Sequence, residues 1–162
     1  MAPYAFALFV TLGLLFEFQL TSQEMSFEDD QAKAAAANFC AYRKGIIALI
    51  SDGRVKTTDK SISESTLLSY LRTYRPNFEK MKNWKTVIKD GKCYLYVEPS
   101  EMPRNSGGAM EMHLLDMVES SAMVGHKSGG SLTRGKGTTT YTFRLPNEIP
   151  DKSVVSVISL GN

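Results

Sequence analysis

The stretch Tyr4–Leu20 is almost unbroken apolar sequence with no Lys or Arg before it, and no later segment approaches its hydrophobicity. Such a run restricts a chain more than any motif, because a helix of about 20 apolar residues is what crosses a bilayer core. Ala2, Pro3 and Thr21 extend it toward that length, so residues 1–21 are read as an N-terminal membrane anchor. A cleaved secretory signal is the competing reading, and it asks for a basic start, a shorter apolar core and a small-x-small cleavage site. Leu20-Thr21-Ser22-Gln23 offers no Ala-x-Ala, no lipobox cysteine follows, and Ala34–Ala37 lie too far along to serve. Retention of the segment is the expectation. Glu17 falls near its far end, where a carboxylate reaches the headgroup layer. Glu24, Glu28, Asp29 and Asp30 come next and the first basic residue is Lys33. Because orientation follows Lys and Arg, this favours an N-in arrangement with everything from about Thr21 outside the cytoplasm.

The remaining residues, 22–162, suit one domain with a single core. A net charge of +2 with 22% charged residues does not demand a nucleic-acid partner. The most basic stretch, Arg72 to Lys92, reads as a solvated surface able to meet an acidic partner or anionic lipid. Cys40 and Cys93 are the two cysteines. In an oxidising compartment they can pair, and alternation along Cys93-Tyr94-Leu95-Tyr96-Val97 puts Cys93 on a face that could meet the helix carrying Cys40. A Cys40–Cys93 disulfide is the favoured expectation, with two separate buried thiols as the alternative.

From Gln31 to about Ile50, Phe39, Tyr42, Arg43, Ile46, Ile47 and Ile50 recur at spacings of three and four, which makes one stripe of an amphipathic helix. It follows the anchor continuously or after a short break, and Ser51-Asp52-Gly53 ends it. Phe39, Tyr42, Ile46, Ile47 and Ile50 are the candidate contact residues; packing within the domain is the expected role for most. A short second helix spans Ser63–Leu71 and stops before Pro76. Trp84–Ile88 and Cys93–Val97 form strands around Asp90-Gly91. A third helix runs from about Ala109 to Ser120. Val124–Leu132 and Thr138–Leu145 alternate around a Gly-rich turn, and Val154–Leu160 is a last strand. The sum is an α+β fold in which the anchor helix continues toward an amphipathic helix packed on a small antiparallel sheet of about five strands.

Motifs for chemistry fail when tested. Gly130–Lys136 matches the first seven positions of a phosphate-binding loop, but Gly137 stands where the magnesium ligand belongs and strand-like sequence follows instead of a helix N-terminus. Cys40, Cys93, His113 and His126 lack zinc-ligand spacing, and no nucleophile elbow surrounds a serine. No cofactor, metal, small-molecule substrate or catalytic residue is expected.

The outline, a hydrophobic helix running into an amphipathic one on an antiparallel sheet, is that of a pilin. Prepilins carry a basic leader ending in Gly and a Glu at the fifth mature position, whereas here Glu17 is fourth after Gly13 and too little apolar sequence follows to span. A pilin-like shape survives that objection; pilin maturation does not.

Three segments carry a family resemblance: Asn38-Phe39-Cys40-Ala41-Tyr42-Arg43-Lys44-Gly45-Ile46-Ile47 after the apolar N-terminus, Trp84 with Gly91-Lys92-Cys93-Tyr94-Leu95-Tyr96, and Ser120-Ser121-Ala122-Met123-Val124-Gly125 before a Gly-rich turn. The chain resembles the PilM proteins encoded in thin-pilus operons of conjugative plasmids, which are unrelated to the actin-like cytoplasmic protein of the same name. The resemblance implies a noncatalytic, single-span inner-membrane component of type IVB pilus biogenesis, in the basal body or the pilin-transport apparatus. Its domain would be periplasmic. Its partners would be other pilus-assembly membrane proteins and pilin, met through the anchor-proximal helix or a sheet edge. A minor pilin or pseudopilin within the filament is the first alternative, and a secreted periplasmic enzyme the second.

Overall fold

The computed structural model describes residues 2–102, 106–118, 122–135 and 139–160. Its first element, α1 (Ala2–Ser51), is a single helix of 50 residues, about 75 Å long at 1.5 Å per residue. The expected anchor and the expected amphipathic helix are thus one backbone element. The side chains of the apolar run, Glu17 apart, lie outside the described residues; among the described residues no helix is long and apolar enough to cross a membrane. From Glu24 to Gln31 every side chain is exposed, and burial begins at Ala32. The helix ends as its sequence indicates. Gly53 takes φ +66, and the Arg54 and Gly53 N–H groups return to the Leu49 and Ile50 carbonyls, so a left-handed glycine closes the last turn.

Two further helices, α2 (Glu64–Tyr74) and α3 (Ser106–Met117), flank α1. Six strands form one antiparallel sheet: β1 (Lys85–Lys89), β2 (Lys92–Val97), β3 (Met123–Ser128), β4 (Ser131–Arg134), β5 (Thr139–Arg144) and β6 (Val154–Ser159), in the order β1-β2-β6-β3-β4-β5. The expectation of about five strands fell short because Val124–Leu132 is itself a hairpin. Gly129 and Gly130, both at positive φ, turn the chain between β3 and β4; that glycine pair is the signal for a two-residue turn. Most of the would-be phosphate loop is the strand β4. The β1–β2 turn at Asp90-Gly91 has positive φ at both residues, as foreseen.

Alternation sorts the sheet's two faces. Cys93, Leu95, Val97, Val124, Val154 and Ile158 join the core beneath the helices, together with Ala32, Ala36, Phe39, Ile46 and Leu49 of α1. Tyr94, Tyr96, Val155 and Val157 point the other way, where Leu145 and Ile149 of the β5–β6 connection cover them. Lys127, almost fully buried, holds that cover in place: its ammonium donates to the carbonyls of Pro146 at 3.1 Å and Ile149 at 2.6 Å. A buried charge is tolerable there because its donors are met. On the helix face, Arg43 Nε donates to the Oγ of the buried Ser156 at 2.9 Å, tying α1 to β6. The outer side of β1 is covered as well. Ile88 N–H donates to the Lys60 carbonyl at 2.8 Å and Ile62 N–H to Thr86 Oγ1 at 3.1 Å.

Two glycines are needed for close approach. A Cβ on Gly125 would sit 2.2 Å from the Thr133 carbonyl oxygen, a backbone atom of the neighbouring strand; one on Gly45 would sit 2.5 Å from Leu71 Cδ2 of α2. Gly125→Ala is expected to cost about 3 kcal/mol, at the upper end for overpacking, because backbone must move. Gly45→Ala gains about 1 kcal/mol of helix propensity against a flexible leucine tip, so its net loss is expected to be smaller. Urea unfolding of the two variants side by side checks the ranking.

Candidate interaction surface

The stripe read from α1 divides in two. Phe39, Tyr42 and Ile46 are core, with Tyr42 only 2% exposed and the other two fully buried. Phe39 meets the Trp84 ring edge to face at 5.3 Å, and Tyr42 stacks on Phe78 at 6.5 Å. Ile47 and Ile50 are half-buried and, with Val55, Ile158 and Leu160, line a groove of about 490 Å³ at the C-terminal end of α1. Only these two residues of the five are therefore available for contact with another molecule.

A larger groove, about 700 Å³, runs beside α1 nearer its exposed stretch. Ala34, Ala37, Asn38 and Ala41 form one wall, and the connection between α2 and β1 forms the other through Arg75, Pro76, Phe78, Glu79 and Met81. Asn38 builds it. Its Nδ2 donates to the Glu79 carbonyl at 2.8 Å, while its Oδ1 accepts from Met81 N–H at 3.0 Å and Trp84 Nε1 at 2.8 Å. One amide thus fixes a loop with few apolar anchors against the helix. Asn38 was in view only as part of the family-like segment; nothing in its sequence position announces an amide inside a helical stripe, although a polar residue beside buried neighbours is the available signal.

The titratable groups outside this groove are committed to packing contacts. Glu111 on α3, 4% exposed, accepts from the Gly135 N–H at 2.7 Å through Oε1, and its Oε2 pairs with His126 Nδ1 at 2.7 Å. His113, also on α3, pairs with Asp29 of α1 at 2.9 Å. Both histidines therefore fasten α3, one to the sheet and one to α1; they do not come together with the cysteines. Among the described residues no cluster could hold a metal ion.

Cys40 and Cys93 belong to the same core and are two buried free thiols, so the disulfide expectation gives way to its alternative. The predicted facing was right, since Cys93 points at α1's layer. Burial pushes the Cys93 thiol up to about 12, and it raises Cys40 too, against the pull of Arg43 and Lys44. Thiolate being the reactive form, both thiols are inert in the folded domain.

Two outcomes follow. Asn38→Ala removes three hydrogen bonds and orphans the indole N–H of Trp84, which is 2% exposed; a loss of about 3 kcal/mol is expected, with Asn38→Asp, which keeps the acceptor, losing less. Trp84 is the single tryptophan, so its fluorescence reports both. Iodoacetamide is expected to spare the native protein at neutral pH and to modify both cysteines once urea is added without reductant. Because Cys93 ionises at about 12 when folded against 9.0 ordinarily, the unfolded chain releases its proton first and the stabilisation is lost as pH rises from 9 toward 12.

Comparison with known proteins agrees with this architecture. The PilM family model matches residues 8–157. A crystal structure from Escherichia coli B7A, provisionally named PilM, superposes with a TM-score of 0.56 at 19% identity, covering 80% of this chain and 92% of that one; at that identity the likeness concerns the fold. No curated protein matches.

Proposed function

The chain belongs to the PilM family, and we propose on that footing that it is a noncatalytic, membrane-anchored component of type IVB (thin conjugative) pilus biogenesis. Residues 1–21 are the anchor, residues 22–162 a periplasmic domain, and the place of action is the basal body or the pilin-transport apparatus of the inner membrane. The observation that carries the reading is the continuity of α1. One unbroken helix joins the apolar sequence Tyr4–Leu20 to the stripe that organises the domain's core, so a segment suited to lipid is coupled rigidly to a folded body. Residues 24–31 between them are exposed on all sides and mostly acidic, which suits a helical neck in water.

A noncatalytic role is supported by what the reactive side chains do. The two histidines serve as helix fasteners and the two thiols are held protonated in the core. The partners on this reading are other membrane proteins of the pilus machine, and pilin. A long helix laid on an antiparallel sheet is also the outline of a minor pilin, and N-terminal sequencing separates the two, since incorporation in the filament requires removal of a leader.

Fractionation tests the anchor. The full-length chain is expected in the membrane pellet after an alkaline carbonate wash and in the supernatant only with detergent. Leu12→Arg with Leu15→Arg, costing about 3 kcal/mol each at a helix centre, is expected to release it. A full-length monomer recovered from the cytosol without detergent is the contrary result.

A further inference from the structure

We propose that the groove between α1 and the α2–β1 connection is the docking site for an acidic, amphipathic helix of another envelope protein, lying alongside α1. This deepens the reading above by giving the partner's chemistry. The α1 wall is made of the methyl groups of Ala34, Ala37 and Ala41, and small side chains let a second helix come within about 8 Å of the axis. From Ala34 to Ala41 is two helical turns, the length of contact that a helix makes with a short groove. The facing wall offers Pro76, Phe78 and the half-exposed Met81 as apolar surface. Asn38 holds the walls apart in the free protein, so an incoming helix need not order the loop and loses less in binding.

Charge selects the occupant. Arg75 lines the groove, and Lys82 follows Met81 on its rim. Lys33 stands four residues before Ala37 and Lys44 three after Ala41, which continues the α1 wall at both ends with exposed ammonium groups. Glu79 is the one carboxylate among the lining residues. Positive potential along an apolar trough fits a helix with an acidic face, which it would also steer in approach. The acidic neck of a second copy has similar chemistry, with Phe27 and Met25 exposed among Glu24, Glu28 and Asp30. It lies about ten residues, or about 15 Å, below the groove along α1, out of reach for copies held at one membrane depth.

The test uses the full chain in detergent and a fluorescent helical peptide with Glu on one face and Leu and Ala on the other; a control peptide replaces Glu with Lys. The acidic peptide is expected to bind at least about tenfold more tightly than the control, and to weaken several-fold as salt rises from about 50 to about 300 mM. Arg75→Glu with Lys82→Glu should lower its affinity about tenfold or more. Ala37→Leu, or Ala34→Leu as a second filling variant, should abolish binding while Trp84 fluorescence stays native. Equal binding of both peptides, or full binding to a folded filled-groove variant, overturns the proposal. So does self-association of the chain that Glu24→Lys with Glu28→Lys abolishes, since the occupant would then be a second copy. None of these readouts depends on where the protein resides, so a failed fractionation and a failed docking site are told apart.

Discussion

The fit of α1 onto the sheet is the contact on which the other parts depend. Its residues change in size along the seam: Ala32, Ala35 and Ala36 come first, then Phe39, Tyr42, Ile46 and Leu49. Small residues let the helix lie close at one end, while the larger ones fill the space toward the other, where β2 and β6 present Leu95, Val97 and Ile158. Fully burying a side chain of this size contributes roughly 2 kcal/mol, so the later turns of the helix carry more of the stability than the alanines do. The flanking helices depend on the same seam. The loop joining α2 to β1 takes its shape from Asn38 and α3 is fastened at Asp29, both of them α1 residues.

Much of this was written in the spacing of residues. The stripe from Phe39 to Ile50, the glycine stop at Gly53 and the Asp90-Gly91 turn each rest on a local rule with one physical cause, and each holds. The error in strand number also has a local cause: Gly129-Gly130 is as strong a turn signal as Asp90-Gly91, but the glycines at 135 and 137 compete with it for the role of hairpin turn. The division of the stripe into core and groove was not legible, because Ile46 and Ile47 differ by one step around the helix. Which of them is covered depends on where α2 and β6 arrive from far along the chain. The same holds for Asn38, whose partners at 79, 81 and 84 come from another part of the sequence. The thiols show the limit from the other side, for facing could be read from alternation whereas bonding could not.

Polar side chains inside the domain share a common use. Lys127, Glu111, Arg43 and Asn38 each reach across between elements that hydrophobic packing leaves under-determined. Apolar contacts tolerate sliding by a fraction of a turn, but a donor and acceptor do not, so these four fix the positions that the core alone would leave loose. A sequence-based search for chemistry naturally stops at such residues, since acids, amides and bases in a core are also what active sites require. Here their partners are backbone carbonyls, amides and single side chains across an interface, which is the pattern of a fastening.

The covering of β1 by the Lys60–Ile62 segment has a consequence for how the protein can join others through backbone hydrogen bonding. A six-stranded sheet has two margins at which a foreign strand could be added. At the β1 margin the Ile88 amide is already occupied and Thr86 is drawn to the same segment. Strand exchange is therefore polar: a guest could extend the sheet beyond β5 but not beyond β1. Copies cannot zip margin to margin into an endless ribbon, as each guest strand would meet a closed side. A chain whose working life is spent among extended, polymerising subunits is in this way prevented from becoming the template for a polymer of its own.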